Sequence, residues 1–186
     1  VIEAERHAGT YNLILEKCIG KGSFGEVYIT SIKGDDKRKL ATKKLERDQI
    51  EGTEAIKYLT NEIKILHKLN HPNIAKFESV KKTKKHFYIV MEYCNGGELS
   101  KALEKYQEKY GKPFSQEIVQ HFMRQIIDAF KYIHSNKIIH RDIKLENILI
   151  NYESEKDKED LNLMKATAKI IDFGFACFIN KSGLLY

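Results

Sequence analysis

The chain has 186 residues, 42% hydrophobic and 31% charged, enough apolar material for a packed core and incompatible with wholesale disorder. With 11 Gly, 2 Pro and no sustained heptads, collagen-like and coiled-coil classes are excluded. Lys plus Arg number 32 against 26 Asp plus Glu, and the resulting charge of +6 suits anionic partners or a solvated lysine-rich surface.

Residues 1–10 lack the apolar stretch of a signal peptide and read as a leader. Residues 11–19 carry a strand pattern that runs into the glycine cluster Gly20, Gly22 and Gly25. Residues 26–30 and 40–45 predict further strands, with a turn at 33–37 between them. Residues 53–69 are helical in pattern, since Ile56, Leu59, Ile63, Leu66 and Leu69 fall on one face. Pro72 stops that helix, because the residue before a proline avoids the helical region. Residues 74–80 and 86–93 read as two strands around a lysine-rich turn.

Asn95-Gly96-Gly97 then breaks the pattern. Mostly strand precedes it and mostly helix follows, which places a domain boundary there. Residues 98–110 predict a polar helix. Residues 115–135 predict a stronger one, capped by Ser115, with Ile118, Phe122, Ile126, Phe130 and Ile133 as its buried stripe. Short apolar pieces follow at 137–139, 148–150 and 168–171, and the charged stretch 151–165 reads as a surface loop with room for a helical turn. No apolar run much exceeds Phe87 to Met91, whereas a membrane-spanning helix needs roughly 20 residues. Cys18, Cys94 and Cys177 fit no metal ribbon and suit the reduced thiols of a cytoplasmic protein. Lys81 to Lys85 lacks interleaved aromatics, so nucleic acid is not an expected partner.

Four motifs carry chemistry. Gly20-Lys21-Gly22-Ser23-Phe24-Gly25 joins two strands, and glycines there let backbone N–H groups approach phosphate oxygens. By itself it is equally an ordinary glycine hairpin; the strand after it argues against a dinucleotide fingerprint. In Ala41-Thr42-Lys43 strand alternation puts Ala41 and Lys43 on one side, and Glu62 is placed mid-helix where it can hold the lysine. His140-Arg141-Asp142-Ile143-Lys144-Leu145-Glu146-Asn147 gathers a base, cations and an amide into eight residues. Asp172-Phe173-Gly174 adds a carboxylate, and with the Asn147 amide it makes an oxygen-rich set suited to magnesium.

In this order and at this spacing, the four motifs resemble those of the eukaryotic protein kinases over residues 11–180. The resemblance implies an α+β, protein-kinase-like bilobal fold. Its parts are a small, mainly antiparallel β lobe with one helix (residues 11–94) and the first part of a mainly helical large lobe (95–186), ending in the activation segment. It implies ATP and Mg2+ as cofactors, a protein substrate and regulatory protein partners. Lys43 would meet the α- and β-phosphates and pair with Glu62. Asp142 would orient the substrate hydroxyl and accept its proton, Lys144 would contact the γ-phosphate, and Asn147 and Asp172 would hold the metal. Gly20, Lys21, Gly22, Ser23 and Gly25 would cover the nucleotide. Val27, Ala41 and Leu149 would enclose its ring, with Met91 as gatekeeper, Glu92 and Cys94 in the hinge and Glu98 beyond it. Leu66, Phe77, His140 and Phe173 would stack as the regulatory spine; plain core packing explains these apolar residues equally well.

Met91-Glu92-Tyr93-Cys94-Asn95-Gly96-Gly97-Glu98-Leu99 and Asp172-Phe173-Gly174-Phe175-Ala176 are similar to segments of the autophagy-initiating Unc-51-like kinases. Asp142 and Asp172 are 30 residues apart, a stretch those kinases also lengthen. Glu98, Ile143, Leu145-Glu146 and Thr42 depart from the usual residues. Calcium-dependent kinases are the competing resemblance, without an EF-hand loop to support it. No APE motif follows Asp172, so the chain is expected to be part of a longer polypeptide, with apolar surface exposed around Ile118 and Phe122. Arg141 beside Asp142 resembles kinases in which an arginine pairs with an activation-loop phosphate; Ser182 and Tyr186 are the hydroxyl candidates, and both are expected to be unmodified. A serine/threonine kinase is the leading reading; a nucleotide-binding scaffold without catalysis is the second.

Overall fold

The computed structural model describes residues 2–6, 9–22 and 25–179; Ser23, Ser182 and Tyr186 lie outside them. Two compact units are present, one of Val1–Lys68 with Lys76–Tyr93 and the other of Leu69–Ala75 with Cys94–Tyr186.

The first unit contains β1 (Ile2–Arg6), β2 (Gly9–Gly22), β3 (Gly25–Ile32), β4 (Asp35–Glu46), α1 (Arg47–Ile50), α2 (Ala55–Lys68), β5 (Phe77–Lys82) and β6 (His86–Glu92). Its six strands lie in the order β1-β2-β3-β4-β6-β5, antiparallel at every pair. The segment read as a leader instead supplies β1, paired with β2 from Ile2–Leu13 to Arg6–Gly9. Residues 74–76 do not begin a strand; Ile74 bridges Ile170 and belongs to the second unit. Short α1 adds a helix that the apolar pattern did not reveal, because four residues are too few to show a period.

One face of this sheet buries Leu13, Leu40, Tyr88 and Val90. Thr30 and Thr42 are buried there too, and their hydroxyls lie 2.9 Å apart. Thr30 Oγ1 also donates to the Leu40 carbonyl at 3.2 Å. The unusual Thr42 is therefore satisfied, which is what lets a hydroxyl replace an aliphatic group in a core. Between β4 and β5, β6 buries Phe87 to Val90 without alternation, as a strand covered on both faces must. The buried side of α2 is Leu59, Glu62, Ile65 and Leu66. Ile63, expected on that face, is half-buried, because the stripe is rotated toward Glu62, whose partner lies inside.

The second unit contains β7 (Gly97–Glu98), α3 (Leu99–Tyr110), α4 (Gln116–Ser135), β8 (Ile138–Ile139), β9 (Ile148–Tyr152), α5 (Glu155–Glu159), β10 (Ala166–Ile170) and β11 (Cys177–Phe178). Strands β10, β9 and β7 form one sheet, and β11 pairs with β8. Ser115 caps α4, its Oγ accepting the Ile118 N–H at 3.5 Å. Along α4, Ile118, Phe122 and Ile126 pack on Ile148, Ile150, Ala166 and Ala168 of β9 and β10. Each large side chain so removed from water stabilises the fold by about 1.5–3 kcal/mol. Phe130, assigned to that stripe, packs beside it half-buried.

Ile118 and Phe122 are thus not exposed, contrary to expectation, since the β9–β10 hairpin takes their face. The exposed apolar residues of α4 are Val119, Met123 and Ile127, each 46% accessible and four residues apart. The charged stretch 151–165 holds α5, begun by Ser154, whose Oγ accepts the Asp157 N–H at 3.1 Å and donates to Asp157 Oδ2 at 2.6 Å. Cys18, Cys94 and Cys177 are not disulfide-bonded. Among the described residues no helix is long and apolar enough to cross a membrane.

Candidate active site

The first unit presents one cluster. Alternation along β4, with the register of its neighbours, puts Val27, Ala41, Lys43 and Met91 on one face: Val27 opposes Lys43 and Ala41 opposes Met91. Lys43 Nζ donates to Glu62 Oε1 at 3.1 Å and Oε2 at 3.4 Å. Glu62 is only 6% exposed, and a carboxylate that deep is tolerated because a cation reaches both its oxygens. Glu92 faces Lys76, accepting its N–H on Oε2 at 3.1 Å and donating its own N–H to the Lys76 carbonyl at 2.8 Å.

The glycine-rich motif is the β2–β3 hairpin, pairing Gly20 with Val27, Lys21 with Glu26 and Gly22 with Gly25. At Gly25, with φ +155°, a Cβ would collide with the Lys44 carbonyl oxygen, so this glycine is required by the fold. At Gly22 a Cβ would meet nothing, leaving the position open to an approaching group. Lys21 lies 3.0 Å from Glu26 in an exposed ion pair. Tyr28 donates to Glu26 Oε2 at 2.6 Å; this bond pushes the Tyr28 phenol up to about 12 and, with Lys21, lowers the Glu26 carboxyl.

The second unit holds the other cluster, on the irregular segments between β8 and β9 and after β10. Arg141 and Asp172 adopt left-handed backbone at φ 68° and 59°, a cost that native structures retain mainly at functional positions. Lys144 Nζ donates to Asp142 Oδ2 at 2.8 Å, and Asn147 Nδ2 donates to the same oxygen and to the Asp142 carbonyl, each at 2.8 Å. The Lys144 bond, helped by Asn147, holds the Asp142 carboxyl below its usual range; reciprocally, Asp142 raises Lys144. The Ile171 N–H donates to the Asn147 carbonyl at 3.0 Å, which brings Asp172 beside Asn147. Asp172 Oδ1 accepts the Gly174 N–H at 3.2 Å.

His140 ties these segments together. Its Nδ1 accepts the Asp142 N–H at 3.3 Å and its Nε2–H donates to the Ile171 carbonyl at 2.9 Å. Burial lowers its basicity, in keeping with the neutral tautomer those two bonds require. The Phe173 ring packs on it, with centroids 4.7 Å apart. Arg141 Nε donates to the Phe175 carbonyl at 2.6 Å. Leu149 lies opposite Glu98 across β9 and β7, Glu98 binds Lys101 at 3.0 Å, and Cys94 is buried.

Asn147 and Asp172 fit a hard cation. The Asn147 amide nitrogen is committed to Asp142, so oxygen is the function it has left to offer, and Asp172 adds carboxylate oxygen. Among the described residues no three His, Cys, Asp or Glu side chains gather as a metal site. The remaining ligands of such an ion would be phosphate or water oxygens, as is usual for magnesium.

Two supports escaped the sequence reading. Asn73, seen only as part of a helix stop, donates from Nδ2 to Gln125 Oε1 at 2.8 Å and the Ala168 carbonyl at 3.0 Å; its own carbonyl accepts the Ile170 N–H at 2.9 Å. It thereby fixes the strand that leads to Asp172. Asn95, next to the glycine pair, clamps the Tyr152 backbone from both sides. Neither residue carries a local signal, since both partners are over 50 residues away.

An antiparallel sheet with a lysine–glutamate pair, followed by a helical unit with Asp142, Asn147 and Asp172 together, defines the class: the chain belongs to the protein kinase domain family, which matches residues 13–185. It is 32% identical over 199 aligned positions to serine/threonine-protein kinase ATG1 of Candida glabrata, covering 92% of this chain and 21% of that protein. To ATG1 of Saccharomyces cerevisiae it is 31% identical over 205 positions, covering 95% and 23%. To serine/threonine-protein kinase 33 of Bos taurus it is 35% identical over 160 positions, covering 86% and 31%. The chain thus spans about a fifth of the length of the ATG1 relatives.

Proposed function

We propose that the full-length protein is a serine/threonine kinase that transfers the γ-phosphoryl group of ATP, with magnesium, to a protein hydroxyl. The observation that carries this reading is the Asp142 carboxylate, held ionised between Lys144 and Asn147. Transfer to a hydroxyl needs alignment and charge neutralisation more than a strong base. Asp142 orients the hydroxyl and takes its proton as the new O–P bond forms and the bond from the γ-phosphorus to the bridging oxygen breaks, with ADP as the leaving group. Lys144 then neutralises charge on the transferred group, and Lys43, fixed by Glu62, does so on the α- and β-phosphates. Asn147 and Asp172 would hold magnesium, which would supply further charge neutralisation for the phosphate oxygens.

Gly20, Lys21, Gly22, Ser23 and Gly25 are assigned the roof over the phosphates. Val27, Ala41, Met91, Glu92, Cys94, Glu98 and Leu149 are assigned the rest of the nucleotide site. Similarity to the Unc-51-like kinases supports a cytoplasmic role in autophagy initiation, acting on protein substrates under the control of regulatory proteins.

The test is phosphate transfer from ATP to a generic protein by the full-length enzyme and by Asp142→Asn. Loss of a positioned base lowers the rate by about 10²–10⁴. Equal, near-background rates in both would remove the enzyme reading.

A further inference from the structure

β10 is the outer strand of its sheet, so its far edge must find backbone partners outside the ladder. Part of that edge is closed by main chain. The Ile170 N–H donates to the Asn73 carbonyl at 2.9 Å, and the Ile170 carbonyl accepts the Ala75 N–H at 3.0 Å, a parallel bridge centred on Ile74. Toward the start of the strand, side chains take over. Asn73 Nδ2 donates to the Ala168 carbonyl at 3.0 Å, Gln125 Oε1 accepts the Ala168 N–H at 2.9 Å, and Gln125 Nε2 donates to the Ala166 carbonyl at 3.3 Å.

The Gln125 amide thus meets β10 as a peptide group of a parallel strand would, accepting from one residue and donating to the residue two before it. Its orientation is fixed, because Oε1 faces two donors, the Ala168 N–H and Asn73 Nδ2, the latter at 2.8 Å. His121 Nε2 reaches the same Ala166 carbonyl at 2.9 Å. The Ala168 N–H has a single hydrogen and gives it to Gln125. The acceptor oxygen is therefore the part of the amide that the edge depends on. Through it, one side chain of α4 joins the segment around Asn73 to β10.

What this contact governs is where β10 ends. Asp172 stands two residues past that end, in left-handed backbone at φ 59°. Ile171, between them, is held by its N–H on the Asn147 carbonyl at 3.0 Å and by its carbonyl on His140 Nε2 at 2.9 Å. A residue in that backbone region persists only where its surroundings over-determine it. A β10 that frays or slips along β9 would release Asp172 from that constraint and from its place beside Asn147.

We propose that Gln125 is a positioning residue for Asp172: its side-chain amide stands in for a neighbouring strand at the β10 edge and so fixes the carboxylate that would hold magnesium. The proposal rests on the kinase reading of Asn147 and Asp172.

The test is calorimetric titration of the full-length protein with ADP, with and without magnesium, beside amide hydrogen exchange over residues 166–170. The proteins compared are the parent, Gln125→Met and Gln125→Glu. Methionine keeps the length of the side chain without its amide, whereas glutamate keeps an acceptor oxygen for Asn73 and Ala168. In the parent, magnesium tightens ADP binding and β10 is protected from exchange. In Gln125→Met the gain from magnesium shrinks about tenfold, the low end for groups that orient a metal ligand, while metal-free affinity holds and β10 exchanges faster. Gln125→Glu recovers both the gain and the protection.

A Gln125→Met protein with the parent's magnesium gain overturns the proposal. So does one that loses metal-free and magnesium-dependent affinity alike, since that marks general damage to the fold rather than displacement of Asp172. Failure of Gln125→Glu to recover the gain overturns the assignment to the acceptor oxygen. A parent that binds no ADP, or binds it without regard to magnesium, overturns the kinase reading and the positioning role with it.

Discussion

Asn147 Nδ2 donates to Asp142 twice, to its backbone carbonyl and to Oδ2, each at 2.8 Å. One amide therefore fixes both the loop conformation and the carboxylate, while its oxygen is left for a cation. Asn147→Ala removes both functions. Loss of one such preorganised group costs about 10²–10³ in rate, and the magnesium concentration for half-maximal rate should rise alongside. Rates measured across a magnesium series check this. A variant with the parent rate and the parent magnesium dependence would show that Asn147 serves the loop alone.

The Lys144 ammonium beside Asp142 holds that carboxyl below its ordinary pKa of about 4. The sign follows directly. A depressed folded-state pKa keeps Asp142 ionised at all pH values above the ordinary range, and the carboxylate is lost only as pH falls through the lower folded value. Lys144→Gln removes the largest cause, so the acid limb of the rate profile should move to higher pH, in addition to any fall in rate at neutral pH. A pH–rate profile of the variant decides the matter; a limb that does not move would place the acid limb on another group.

Much of this was legible from local pattern. The long helix at 116–135 followed from its apolar spacing and from Ser115, and the β2–β3 hairpin followed from glycines between β-branched runs. What was missed depends on distant partners. The α2 stripe turned toward Glu62 because Lys43, 19 residues earlier, supplies its counter-charge. Asn73 and Asn95 looked like turn residues because Ala168 and Tyr152 are remote in sequence. The buried face of α4 was legible from its spacing, but not that the β9–β10 hairpin would cover its Ile118, Phe122 and Ile126, because those strands are remote in sequence.

The ion pair between Lys43 and Glu62 is also a stability element. Lys43→Met strands a nearly buried carboxylate, at a cost of about 3–5 kcal/mol. Replacing both, with Lys43→Met and Glu62→Leu together, should recover most of that loss, because no charge is then left unpaired. Urea unfolding of the parent, the single variant and the double variant gives the comparison. A double variant as unstable as Lys43→Met would mean that side-chain packing, not charge, sets the cost.

The buried pair of Thr30 and Thr42 makes an asymmetric prediction. Thr30 Oγ1 donates to the Leu40 carbonyl, so Thr42 is the donor in the 2.9 Å contact between the hydroxyls. Thr42→Val removes a donor yet leaves Thr30 satisfied, and the expected change is under about 1 kcal/mol. Thr30→Val leaves the Thr42 hydroxyl buried without an acceptor, which costs about 1–3 kcal/mol. The two valines together remove both hydroxyls from the same core beside Leu40 and Val90, and should be nearly neutral. Denaturation midpoints of the three variants test the order. Equal losses in the two single variants would contradict the assigned direction of the hydrogen bond.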